Sequence, residues 1–99
     1  MADKLLAFLG ITKRANALVM GHDLSMDLVK SGKANLVLIA ADASERLEKE
    51  FLRVCDYCPV IRINKSMNDI GLALPKASGV MAVKGNGFAN RLIELIEED

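Results

Sequence analysis

The chain has 99 residues, enough for one domain with a single core, so residues 1–99 are predicted to fold as one unit. Hydrophobic residues make up 52% of it, aromatic residues 4% and charged residues 26%, which excludes disordered and membrane-spanning classes and predicts an aliphatic core. Thirteen basic side chains balance thirteen acidic ones, whereas nucleic-acid-binding proteins are usually more basic. The N-terminus lacks the pattern of a signal peptide, and we expect a cytoplasmic protein.

The first part of the chain alternates between helical and strand-like patterns. The spacing of apolar residues predicts a helix over Ala2–Ala15, and the short apolar run Leu18–Met20 predicts a strand. A second helix is predicted over His22–Ser31, with Leu24 and Leu28 facing the core.

The middle of the chain repeats this alternation. Gly32 is placed to end the second helix in a left-handed conformation, and the wholly apolar Leu36–Ala40 predicts a strand covered on both faces. The segment Asp42–Glu45, "DASE", resembles a capping box that opens a third helix. Apolar residues of that helix recur at four-residue steps, at Leu47, Phe51 and Cys55.

The last part of the chain completes the pattern. Val60–Ile63 and Val80–Val83 are predicted strands, Ser66–Asp69 is a cap signal before a helix at Ile70–Leu74, and Phe88–Ile96 is the final helix. Strict alternation of helix and strand predicts an α/β domain whose sheet of about four strands carries helices on both faces.

Two cysteines, Cys55 and Cys58, form a C-x-x-C pair at the end of the third helix. Redox pairs open a helix, where the dipole lowers the thiol pKa, so this placement favours core packing over redox work. Zinc needs about four ligands, and His22 is the only histidine. We therefore predict neither a metal nor a cofactor.

Two further segments have a chemical and a structural interpretation. His22 begins a helix beside Asp23 with no evident nucleophile as partner, which favours a solvated or capping histidine over a catalytic one. The segment Lys84–Gly87, "KGNG", lies between a strand and a helix, where backbone amides can cradle an anion, although a plain turn is favoured. No catalytic constellation is visible, and we predict that the protein is not an enzyme.

Five short motifs, in order, resemble a known family. They are Gly21 through Gly32 followed by "LVLIA" and Asp42, then "VCDYCPV", "NDIG" and "GFAN", together with the opening "ITKRANALVMG". The chain is similar to the kink-turn-binding ribosomal proteins, which include archaeal and eukaryotic large-subunit proteins of the seven-A-e and thirty-e types and small bacterial relatives. The resemblance covers nearly the whole chain.

The resemblance implies a three-layer α-β-α sandwich with a mixed sheet, and a protein that grips sharply bent RNA without catalysis. In the family, the helix after the first glycine presents Asn, Glu and Lys to the RNA, and this chain has Asp23, Leu24 and Asp27 at those positions. A second contact comes from the loop before the last strand, here Leu74–Ser78, which is expected to pack on an exposed base.

Basic residues near these segments complete the predicted contacts. The residues expected to bind RNA are Arg14, Gly21, His22, Asp23, Asp27, Lys30, Lys33, Leu74, Lys76, Ala77 and Ser78. No aromatic residue lies among them in sequence, so stacking of single-stranded bases is not expected. RNA, and with it ribosomal proteins, are the predicted partners. The alternative is a protein-interaction or ribosome-associated module that has lost kink-turn recognition, which the zero net charge and the acidic tail favour.

Overall fold

The computed structural model describes residues 3–99, and helices and strands alternate strictly along them. The elements are α1 (Lys4–Arg14), β1 (Leu18–Met20), α2 (His22–Lys30), β2 (Leu36–Ile39), α3 (Glu45–Val54), β3 (Val60–Arg62), α4 (Met67–Ala73), β4 (Val80–Val83) and α5 (Asn86–Glu98). All nine predicted elements are present, although α4 starts earlier and α5 extends further than predicted. Ala2, at the start of the first predicted helix, lies outside the described residues.

The four strands form one mixed sheet in the order β1-β4-β2-β3. β4 runs antiparallel to both of its neighbours, β1 and β2, while β3 lies parallel to β2 at the edge. The two central strands are buried at every residue, as expected for strands that are covered on both faces.

Helices cover both faces of this sheet, which confirms the three-layer α-β-α sandwich. On one face α1, α4 and α5 contribute side chains such as Leu9, Ile70 and Leu92 to an aliphatic cluster. On the other face α2 and α3 contribute Val29 and Phe51 to a second cluster. No helix within residues 3–99 has the length and apolar character needed to cross a bilayer.

The start of α3 differs from the prediction. Ser44, not Asp42, is the N-cap, and its hydroxyl accepts a hydrogen bond from the Leu47 amide at 3.1 Å. Asp42 instead accepts a hydrogen bond from the Met67 amide at 2.8 Å, which ties the β2–α3 loop to the start of α4. The predicted cap at Ser66, by contrast, forms a complete capping box.

The buried face of α2 also differs from the prediction. Ser25, Met26 and Val29 face the core, while Leu24 is 56% exposed and Leu28 is half-buried. The helix begins immediately after β1 and packs on β1 and β4, so strand geometry fixes its rotation. The small side chain of Ser25 occupies the buried position, where a hydrophobic pattern would have placed Leu24.

Candidate functional site

Loops that follow β1 and β2, and the loop that precedes β4, meet at one end of the sheet. The Gly21 amide donates to the Val80 carbonyl at 3.0 Å, and the Ala40 amide donates to the Gly79 carbonyl at 3.0 Å. The loop Leu74–Ser78 therefore lies next to the start of α2. We refer to Gly21–Asp23 together with Leu74–Ser78 as the ledge.

The ledge brings a cation to the uncapped start of a helix. Gly21 is the N-cap of α2 with a φ of +94°, a conformation that favours glycine, and no side chain caps the first amides. The Lys76 ammonium nitrogen lies 3.5 Å from where a Cβ on Gly21 would be. Helix-start amides beside an ammonium group form an environment that favours anions.

The loop Leu74–Ser78 presents less apolar surface than predicted. Leu74 and Ser78 are each only 6% exposed, and the Ser78 hydroxyl donates to the Val80 carbonyl at 2.7 Å. The Leu74 side chain completes the core, so a base that packs on this loop would have to contact its other residues. Lys76 and Ala77 are the predicted contacts that this loop leaves exposed.

An exposed apolar residue and a packed glycine adjoin this loop. Leu72, on α4, is 81% exposed and was not identified from the sequence. A Cβ on Gly71 would lie 3.1 Å from the Cβ of Ala77, so the loop packs directly against α4 at that position. Gly71 thereby sets how close the loop lies to the helix.

His22 is held between two carboxylates at the ledge. Its Nδ1 lies 3.1 Å from Asp23 Oδ1, and its Nε2 lies 2.9 Å from Glu50 Oε2. The ring also makes an edge contact with Phe51, with the two centroids 5.6 Å apart. Hydrogen bonds to Glu50 and then to Asp23 raise the pKa of His22 above its ordinary value. The interpretation of His22 as a solvated histidine agrees with this environment, and Glu50 is a site residue that the sequence did not reveal.

The exposed face of α2 beyond His22 is acidic. The Asp23 side chain is 99% exposed, Asp27 is also exposed, and Leu24 stands on the same solvent-facing side. A polyanion that approaches α2 therefore meets two carboxylates beyond the amides and the ammonium group of Lys76.

Arg62 organises the neighbouring loop between β2 and α3. Its Nη1 donates to the carbonyls of Ala40, Ala41 and Ala43 at 2.9, 3.1 and 2.8 Å. The same guanidinium pairs with Glu48, with Nη2 2.7 Å from Oε1. This loop borders the ledge, so Arg62 fixes backbone next to it without being part of it.

The remaining predicted contacts lie at the opposite end of the sheet. Lys30 ends α2, about 12 Å along the helix axis from His22, and Lys33 follows it. Arg14 ends α1, just before β1 begins. The structure therefore brings Lys76 to Gly21 but does not bring Arg14, Lys30 or Lys33 there.

The two cysteines lie at that opposite end of the sheet, where α3 ends and β3 begins. The Cys55 thiol donates to the Cys58 carbonyl at 3.5 Å, and Cys55 is buried. Burial, together with the interaction of its thiol with the Cys55 side chain, raises the pKa of Cys58 to about 12. Within residues 3–99, no three His, Cys, Asp or Glu side chains are grouped as metal ligands. These contacts support the packing role of the pair.

Comparison with known proteins places the chain among RNA-binding and ribosomal proteins. The model of the ribosomal protein L7Ae/L30e/S12e/Gadd45 family matches residues 3–93. The RNA-binding protein YlxQ of Bacillus subtilis is 36% identical over 91 residues, which cover 90% of this chain and 91% of YlxQ. The large ribosomal subunit protein eL30B of Schizosaccharomyces pombe is 32% identical, over 91% of this chain and 80% of its own length.

A solved structure has the same fold. The 15.5 kD RNA-binding protein of Giardia lamblia superposes with a TM-score of 0.73 at 25% sequence identity. The superposition covers 95% of this chain and 82% of the Giardia protein.

Proposed function

Because the chain belongs to the ribosomal protein L7Ae/L30e/S12e/Gadd45 family, whose model spans residues 3–93, we propose that it is a non-catalytic, ribosome-associated protein that recognises bent, kink-turn-like RNA. Recognition is by shape and backbone contacts at the ledge. We place the protein in the cytoplasm with structured RNA, and with ribosomal proteins as neighbours, because its relatives include a ribosomal protein and an RNA-binding protein.

The observation that carries this proposal is the approach of Lys76 to Gly21. Two segments more than fifty residues apart meet there, with the Lys76 ammonium nitrogen 3.5 Å from the position of a Cβ on Gly21. A phosphate at this point would accept hydrogen bonds from the first amides of α2 and would interact with the positive end of the helix dipole and with the Lys76 ammonium group. His22 adds a positive charge when it is protonated, since its pKa is raised.

A second candidate function rests on the exposed face of α2. Asp23, Leu24 and Asp27 combine two carboxylates with a leucine that is 56% exposed, a surface suited to a protein partner. On this alternative the fold is retained as a protein-interaction module and kink-turn recognition is lost.

One titration separates the two functions. A generic kink-turn RNA and an unbent duplex of the same length are titrated with the protein at two salt concentrations. RNA recognition predicts a preference for the bent form, with a salt slope of about −0.9 for each phosphate neutralised. Equal and weak binding of both RNAs would favour the protein-interaction function.

Charge variants then locate the contact. Lys76→Gln should weaken kink-turn binding and make the salt slope shallower by about 1, whereas Asp27→Lys should tighten binding and steepen the slope by about 1. Glu94→Lys makes the same charge change as Asp27→Lys on α5, away from the ledge, and is the matched control. Unchanged binding by Asp27→Lys would exclude the α2 face from the interface.

A further inference from the structure

Although the net charge of the chain is zero, basic residues cluster at the end of the sheet opposite the ledge. Helices α1 and α2 end there, and loops lead from them into β1 and β2 and from β4 into α5. These helix ends and loops carry five basic residues, Lys13, Arg14, Lys30, Lys33 and Lys84. We refer to these five residues as the basic end. None of them forms an ion pair with a carboxylate of residues 3–99.

An aromatic side chain stands within this end, at a place that its sequence position does not indicate. The Tyr57 hydroxyl donates to the Val29 carbonyl at 2.9 Å and accepts a hydrogen bond from the Ala34 amide at 3.2 Å. Val29 precedes Lys30, and Ala34 follows Lys33. No aromatic residue lies among the basic residues in sequence, but the loop after α3 returns to the end of α2 and brings Tyr57 there.

Tyr57 is held in place yet remains accessible. Two hydrogen bonds anchor its hydroxyl, while the residue is 46% exposed. Because the hydrogen bonds already restrict the ring, a base that stacks on it costs little additional side-chain conformational entropy. Burial raises the pKa of Tyr57, so the hydroxyl keeps the proton that it donates to Val29.

The cations continue from this ring across the sheet. Asn35 follows Ala34, its amide donates to the Val83 carbonyl at 2.7 Å, and its Oδ1 accepts from the Gly85 amide at 2.8 Å. Lys84 lies between these two contacts, and its own amide donates at 2.9 Å to the carbonyl of Ala17, which is three residues after Arg14. Lys84 directly follows β4 and Lys33 precedes the neighbouring β2, so both lysines lie at the same end of two adjacent strands, whose backbones are about 4.8 Å apart.

We propose that Tyr57, Lys33 and Lys84 form a second RNA site, which binds a single-stranded segment by stacking one base on Tyr57 and pairing its phosphates with the lysines. The inference rests on the proposed function, because it assigns a further part of the same RNA to this end. Asp56, beside Tyr57, is the acidic residue of this loop, and the five cations outweigh it.

Intrinsic fluorescence tests the stacking contact in the unmodified protein. The chain contains one tyrosine and no tryptophan, so tyrosine emission reports on Tyr57 alone. We expect an unstructured oligouridine to quench this emission and a blunt kink-turn duplex, bound at the ledge, to leave it unchanged. Binding of oligouridine without quenching would overturn the stacking contact.

Affinity measurements with variants test the whole site. Tyr57→Ala should weaken oligouridine binding by about 5- to 150-fold, as expected for one stacked base. The surface double variant Lys33→Gln/Lys84→Gln should reduce the magnitude of the salt slope by about 1.4, since each single-strand phosphate contact contributes about 0.7. Arg46→Gln/Lys49→Gln removes two exposed cations of α3 as the matched control and should leave oligouridine binding unchanged.

The outcomes separate this site from the ledge. If the second site is correct, both test variants retain wild-type affinity for the blunt kink-turn duplex. If the protein shows no preference for kink-turn RNA, the proposed function fails, but the oligouridine measurements still test the second site. Equal losses in the test and control pairs would overturn the proposal. Polyglutamate that displaces oligouridine as readily as unlabelled oligouridine does would also overturn it, in favour of an acidic protein partner.

Discussion

The two ends of the sheet differ in how their charges are held. At the ledge end, three basic side chains are paired with carboxylates or backbone: Arg62 with Glu48 and three carbonyls, Lys65 with Asp3 and Asp99, and His22 with two carboxylates. Lys76 is the exposed cation of the ledge, and it has no ion pair to residues 3–99. At the basic end, cations carry no ion pair to residues 3–99. The ledge is thus a surface of backbone held by these contacts, and the basic end is a surface of exposed, unpaired charge around one anchored ring. Shape recognition requires the first, and contact with unstructured phosphates requires only the second.

The largest effect should come from breaking the order of the ledge end through Arg62. Arg62→Lys keeps the charge but removes the planar fork that contacts the carbonyls of Ala40, Ala41 and Ala43. We expect a loss of about 2–3 kcal/mol in the free energy of unfolding, measured by urea denaturation. Arg53→Lys, on the exposed side of α3, is the control and should change it by less than about 0.5 kcal/mol. Equal stabilities of the two variants would contradict the role of Arg62.

A smaller effect should come from moving the ledge loop itself. Gly71→Ala places a methyl group 3.1 Å from Ala77 Cβ, so the loop must shift by a few tenths of an ångström. We expect a cost of about 1 kcal/mol in unfolding free energy, partly offset by the better helix propensity of alanine, and weaker kink-turn binding.

Gly87→Ala is the matched control for this substitution. Gly87 is also helical, and a Cβ there meets nothing within 4 Å, so the variant should be stabilised and should bind kink-turn RNA normally. If Gly71→Ala bound the kink-turn RNA as well as Gly87→Ala did, the loop would not belong to the interface.

The smallest expected effect is on pH dependence at the ledge. The pKa of His22 is raised above 6.5, so its ion pairs with Glu50 and Asp23 contribute fully below pH 6.5 and are lost as the pH rises through the folded-state pKa. Because the side chains are exposed, this contribution is at most about 1 kcal/mol. RNA binding should likewise tighten at low pH.

His22→Gln removes the titrating group and checks the assignment. The free energy of unfolding and the kink-turn affinity are measured between pH 5.5 and 8. In the variant, both should lose the part of their pH dependence that comes from titration of His22. Oligouridine binding at the basic end should show the same pH profile in both proteins. A wild-type kink-turn profile in His22→Gln would exclude His22 as the source.

The strands and the start of α2 could be predicted from the sequence. Apolar runs identified the strands, since Leu36–Ile39 and Val80–Val83 are buried throughout. Glycine marked the start of α2, because a φ of +94° is strained for other residues. These features are local, and local chemistry determines them.

Features that depend on tertiary contacts were not predictable. Nothing in the sequence around Tyr57 shows that its hydroxyl reaches Val29, or that Glu50 reaches His22, because both contacts join residues 28 positions apart. The buried face of α2 was mispredicted because Ser25 is polar yet buried. Packing of the helix on β1 and β4 determines which face is buried, and the hydrophobic pattern of α2 does not. Membership of the family and the sandwich fold were identified correctly, because several short motifs occur in the same order along nearly the whole chain.

The placement of β4 between β1 and β2 has a consequence for biosynthesis. The first two strands to be made are not hydrogen-bonded to each other, and both pair with a segment that begins at Val80. While the chain is being translated, β1 therefore has no neighbour in the sheet until synthesis has reached Val80. Nascent chains halted before that point should be protease-sensitive and depend on chaperones, since their strand edges and the apolar faces of α2 and α3 stay uncovered.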